Sequence, residues 1–181
     1  MMSHALFCNI KCDVINRSVG WRLKVDARLS RMLHLLIHMG RMEGPLTSEA
    51  AAMMLGTNPV VIRRTMAGLR DAGYVRSVKG HGGGWSLTRG LDGITMLDVH
   101  RALGENRIFA LGPADPDPVC LVERAVNGSL EDALQEAEKL LLRRLADVTL
   151  ADIAADFDRR FAALSPEDRT ARAHAGQLPP G

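Results

Sequence analysis

The 181-residue chain holds 46% hydrophobic residues and a formal net charge of only +2, a composition that supports a packed core and argues against a disordered protein. Three cysteines, Cys8, Cys12 and Cys120, are too few and too scattered for a disulfide framework, and Arg31, His34, His38 and Arg41 interrupt the longest apolar stretch well short of a bilayer span. A reducing, cytoplasmic setting without a membrane is therefore expected. Charge is shared unevenly: residues 1–105 carry 14 Lys/Arg against 8 Asp/Glu and residues 106–181 carry 9 against 13, so the halves are +6 and −4 and the first suits a polyanionic partner.

Residues 1–22 mix Cys8, Lys11, Cys12, Asp13 and Arg17 without an apolar core and read as a loose extension or an upstream start rather than a secretory signal. From Val25 to Met42 the apolar residues Leu29, Met32, Leu33, Leu36, Ile37 and Met39 recur at helical spacing, predicting a helix that ends near Gly44-Pro45. Thr47 is placed to cap a short helix over Ser48 to Leu55, which Gly56 stops. Asn58 followed by Pro59 is an N-cap with proline at the first helical position, opening a helix whose Ile62, Met66 and Leu69 face inward. Two short helices divided by Gly56-Thr57 have the tight turn of a helix-turn-helix. An extended pair follows, Tyr74 to Val78 and Trp85 to Thr88, joined by Lys79-Gly80-His81-Gly82-Gly83-Gly84, so the order predicts a winged helix.

Thr95 with Asp98 resembles a capping box for a helix through Leu103. Residues 104–118, with Gly112, Pro113, Pro116 and Pro118, read as a loop. Beyond it the pattern predicts a short helix from Val119 to Val126, a longer one from Ser129 to about Asp147, and a last one capped by Thr149 and running to about Leu164. Leu130, Leu134, Ala137, Leu141, Leu145 and Val148 form a stripe suited to packing on another helix. The fold class expected is mainly α with a small β-hairpin wing: an extension at 1–22, a winged helix-turn-helix at 23–104, a loop at 105–118, dimerisation helices at 119–164 and a tail at 165–181.

The segment from Asn58 to Arg89 holds Arg63, Arg64, Arg70, Arg76, Lys79 and Arg89 against Asp71 alone, a local charge of +5. The second helix of a helix-turn-helix enters the major groove, which puts Thr57, Asn58, Val60, Val61, Arg63 and Arg64 at base edges. Arginine can make two hydrogen bonds to guanine, so Arg63 and Arg64 are the candidates for sequence readout, while Lys24, Arg28, Arg76 and Lys79 suit phosphates. His81 joins Lys79 in the wing, where both are placed for the DNA backbone or minor groove. That loop connects strand to strand and lacks Gly-Lys-Ser/Thr, which disfavours a nucleotide-binding loop, and Trp85 suits packing at the wing base. His34 and His38 stand four apart, a chelating spacing, but nothing nearby completes a metal site and they read as packing residues. Cys120, between loop and dimer stripe, is a candidate redox sensor. No catalytic triad or paired-carboxylate motif stands out, so an enzyme is not expected.

Taken together, Asp26-Ala27-Arg28-Leu29, Asn58-Pro59, Leu69-Arg70-Asp71-Ala72-Gly73-Tyr74-Val75, Lys79-Gly80-His81-Gly82-Gly83-Gly84-Trp85 and Val148-Thr149-Leu150-Ala151-Asp152-Ile153 closely resemble the Rrf-two family of winged-helix transcriptional regulators. The resemblance runs from residue 24 to about 158 and implies a homodimer with crossed C-terminal helices, a palindrome-like operator in double-stranded DNA, and repression, although activation is equally compatible with the residues. Cluster-binding members carry three cysteines between the post-wing helix and the dimer helix, where this chain has Cys120 alone; it resembles the cluster-less branch, and no cofactor is expected. The wing departs from the commoner Arg-Gly-Pro-Gly-Gly-Gly-Tyr at Lys79, His81 and Trp85. The reading is a sequence-specific regulator answering a redox or small-molecule signal, with a protein-interaction module docking on a partner protein as the alternative.

Overall fold

The computed structural model describes residues 27–80, 82–104, 109, 112, 115 and 117–168. Its elements are α1 (Arg28–Met39), α2 (Ser48–Leu55), α3 (Pro59–Asp71), the antiparallel strands β1 (Val75–Val78) and β2 (Gly84–Leu87), a 3-10 turn (Leu91–Gly93), α4 (Met96–Ala102), α5 (Leu121–Ala146) and α6 (Leu150–Ala162).

The apolar stripe of α1 makes it the centre of the core. Met32, Leu33, Leu35, Leu36 and Met39 are buried, and α2, α4, α6 and β2 all pack against this helix. Ile62, Met66 and Leu69 of α3 join them, as do Val75, Ile94, Val99 and, from much later in the chain, Leu150. Full burial of one such side chain contributes about 1.5–3 kcal/mol. The return of α6 is fixed further by Arg41, which donates to the Ala154 carbonyl (3.1 Å) and to Asp158 (2.7 Å) and lies over the Phe157 ring.

Helix starts follow local chemistry. The Thr47 hydroxyl accepts from the Ala50 N–H and Asn58 Oδ1 accepts from the Val60 N–H, while Thr95–Asp98 and Thr149–Asp152 are full capping boxes. Those two boxes lie side by side. Thr95 and Thr149 pair as an isolated antiparallel bridge, Met96 N–H donates to the Val148 carbonyl and Leu150 N–H to the Ile94 carbonyl, both at 2.9 Å. The starts of α4 and α6 are thereby cross-tied.

Several boundaries differ from expectation. The first helix stops at Met39 rather than Met42, where the Gly40 backbone abuts the Leu91 side chain; Val25 and Asp26 lie outside the described residues. Tyr74 is not in β1 because its N–H is used on the Leu69 carbonyl, closing the end of α3. The largest correction is beyond the loop: the expected helices Val119–Val126 and Ser129–Asp147 are one 26-residue helix, α5, that runs unbroken through Asn127-Gly128. One interior glycine costs only about 1 kcal/mol, which a helix of this length can absorb. Of α5, Leu145 alone among the described residues is buried, whereas Leu121, Val122, Val126 and Leu140 are exposed.

A second glycine is structural. A Cβ at Gly68 would sit 2.5 Å from the Ala102 carbonyl oxygen, so the absence of a side chain sets how closely α3 lies on α4. Gly68→Ala is expected to lower stability by about 1–2 kcal/mol, the clash outweighing the gain in helix propensity. A thermal melt checks this: a raised melting temperature, as for an ordinary helical Gly→Ala change, would contradict the packing.

Candidate DNA interface

The helix-turn-helix presents the first two turns of α3 outward. Pro59 needs no amide partner at the helix start, and Asn58 spends its carbonyl oxygen on the Val60 N–H at 2.7 Å. Val60, Val61, Arg63 and Arg64 are all exposed, opposite the buried Ile62, Met66 and Leu69, and Thr57 is half-buried in the turn. Val60 and Arg64 are four residues apart and so stand on one outward line of the helix. Arg63 is turned aside: its guanidinium meets Glu49 of α2 at 3.2 Å. Both groups are more than half exposed, so this pair holds Arg63 weakly, by about 0–1 kcal/mol. That partner was invisible in the sequence, since nothing local links residues 49 and 63.

The wing is set against this surface. In β1–β2, Arg76 pairs with Ser86 and Val78 with Gly84. Among the described residues no ion pair occupies Arg64, Arg76 or Lys79. Trp85 is buried at the wing base, as its apolar bulk suggested, with its indole N–H donating to Ser48 Oγ at 3.0 Å. Arg28 is the first residue of α1 and exposed. Lys24 and His81 lie outside the described residues. Arg89, overlooked as a site residue, stands over the Tyr74 ring at 5.2 Å, which holds it at the foot of the wing.

Two further candidates lie on other elements. Cys120 is exposed at the N-cap of α5, and the backbone N–H groups of Glu123 and Val122 favour its thiolate, holding the thiol below its ordinary range. His34 and His38 are brought together, with their Nε2 atoms 2.9 Å apart and their rings edge to face. Burial pulls His38 down to about 4, helped by the charges of His34 and Arg41, and burial also lowers His34.

Helix, helix-turn-helix and β-hairpin, with cations on the outward face of the second helix and along the wing, define a winged-helix nucleic-acid-binding protein. A family model described as Rrf2, iron-dependent transcriptional regulator, matches residues 25–156. YwnA of Bacillus subtilis (strain 168), whose name places it among HTH-type transcriptional regulators, is 28% identical over 129 residues, covering 71% of this chain and 96% of its own. Protein rrf2 of Nitratidesulfovibrio vulgaris (strain Hildenborough) is 30% identical over 135 residues, 75% of this chain and 88% of its own. Among solved structures, IscR of T. potens superposes with a TM-score of 0.56 at 25% identity, over 80% of this chain and 93% of that one. The chain belongs to the Rrf2 family and is a transcriptional regulator, not an enzyme.

The family description names iron, but the donors do not fit it in the described part of this chain. No group of three or more His, Cys, Asp or Glu side chains is assembled there, and Cys120 is the thiol it contains; Cys8 and Cys12 lie outside the described residues. No helix described is long and apolar enough to cross a membrane.

The histidine pair sets a pH dependence. An unfolded histidine takes up a proton near pH 6.5, but folded His38 resists protonation until about 4, so stability is fully present above about pH 6.5 and falls as pH drops through that window. His38→Gln should flatten the fall. Urea midpoints between pH 7 and pH 4.5 measure it, and a constant midpoint in the unaltered chain would contradict the assignment.

Proposed function

We propose that the chain is a cytoplasmic homodimeric repressor that grips a palindrome-like operator in double-stranded DNA with two winged helices and releases it on a redox or small-molecule signal. The observation that carries this reading is the outward face of α3 flanked by the wing. Arg64, and Arg63 once it leaves Glu49, would reach base edges beside Thr57, Asn58, Val60 and Val61. Arg28, Arg76 and Lys79 would hold phosphates. Lys24 and His81 keep the backbone roles their sequence positions suggest.

The dimer is supported by α5. At 1.5 Å per residue its 26 residues extend about 39 Å, yet the helix leaves Val122, Val126 and Leu140 in water and buries Leu145 alone among its described residues. An apolar helix face of that length needs a partner, and a second copy supplies a self-complementary one. In this reading residues 23–104 form the DNA-binding unit and 119–164 the dimerisation helices. The signal arrives at Cys120 or the 104–118 segment; the exposed thiol at the start of α5 supports the redox form, since its oxidation would alter the dimer element where it begins.

Binding of the full chain to duplex from its own upstream region and to random duplex, across a salt series, tests the proposal. Selective binding that weakens steeply with salt is expected, because each neutralised phosphate contributes a log–log slope of about −0.9. Arg76→Ala should weaken binding to both duplexes and reduce the slope by about 1. Binding indifferent to salt, or no preference for any duplex, would overturn the operator model in favour of docking on a partner protein.

A further inference from the structure

The first turn of α3 carries two adjacent β-branched side chains, Val60 and Val61, that are 61% and 51% exposed. Neither supports the fold. The inward positions of this helix are Ile62, Met66 and Leu69, and valine is a poorer helix former than the alanine, glutamate or lysine that would serve an idle surface. The first turn of a recognition helix is also where side chains come closest to base edges.

Two polar groups beside these valines are turned to partners within the fold, Asn58 firmly and Arg63 weakly, while Arg64 stands one turn further on. Asn58 Oδ1 accepts from the Val60 N–H at 2.7 Å, and the Arg63 guanidinium is drawn to Glu49 at 3.2 Å. What the turn offers to a groove is therefore mainly hydrocarbon. In the major groove of duplex DNA the one methyl group on a base edge is the C5-methyl of thymine, set among hydrogen-bond donors and acceptors. A polar base edge set against Val60 or Val61 would lose its water and gain no partner.

We infer that Val60 and Val61 form an apolar seat for thymine methyl groups, so that each operator half-site requires thymine beneath the start of α3. Successive helix positions diverge by about 100°, so the two valines address different bases. Arg64, four residues beyond Val60, sits about 6 Å further along the helix, which brings any guanine it holds to within about two base pairs of the thymines. The inference rests on the DNA-binding reading and assigns its base specificity.

The test replaces DNA atoms rather than protein ones. The full chain selects its preferred duplex from a random pool, and that duplex is remade with each thymine in turn changed to deoxyuridine, which removes the methyl and leaves pairing intact. One or two positions per half-site should weaken binding about three- to five-fold, the affinity equivalent of one buried methyl. With Val60→Ala/Val61→Ala, checked for retained helicity, thymine and deoxyuridine should bind alike at those positions. Selective, salt-sensitive binding that is unchanged by deoxyuridine everywhere would overturn this inference while leaving the DNA reading intact. Failure to select any duplex would overturn both.

Discussion

The structure depends on the seating of Trp85. Its backbone N–H donates to the Leu46 carbonyl at 2.8 Å and its carbonyl accepts from the Leu46 N–H at 2.9 Å, while its indole N–H reaches Ser48 in the first turn of α2. A two-stranded hairpin is marginal alone in water, and the pairing with Leu46 gives this one a third, one-residue edge. The close approach demands glycine next door, because a Cβ on Gly84 would lie 2.5 Å from the Leu46 oxygen. As α2 packs against α3, the wing and the outward face of α3 hold a fixed relation to each other.

A second joint ties α4 to α6. The crossed capping boxes at Thr95 and Thr149 bind the start of α4 to the start of α6, immediately after α5 ends. Acid weakens both boxes. Asp98 and Asp152 are held below the usual carboxylate range by their bonds to Thr95 and Thr149, against the opposing effect of burial, so their stabilisation is present above about pH 4 and lost below it. Leu150, in the first turn of α6, is fully buried in the same core as α1 and α3. Force applied along α5 therefore meets the winged helix through hydrogen bonds and packing rather than through a slack linker.

Local chemistry was legible in the sequence and tertiary pairing was not. Thr47, Asn58-Pro59 and Thr95–Asp98 gave helix starts to the residue, because a cap is decided by a side chain and the amides two or three positions on. Thr149–Asp152 has the same spacing and forms the same full box. The helix start expected at Ser129 is absent, because a long helix runs on through Asn127-Gly128 and bears the cost of one interior glycine. The Arg63–Glu49 pair, the Gly68–Ala102 approach and the converging imidazoles of His34 and His38 each depend on where elements dock or rotate. The exposure of Val60 and Val61, by contrast, followed from the helical wheel once Ile62, Met66 and Leu69 were placed inward.

Wing and α3 act as one unit, and in the proposed dimer α5 joins two such units. Hydroxyl-radical footprinting of the full chain on a duplex it has selected measures this directly. It should give two symmetry-related protected patches whose centres lie about 34 Å apart or a multiple of that, each combining the strands that flank the major groove with a neighbouring wing contact. A single unsymmetrical patch, or protection spread evenly along the duplex, would contradict it.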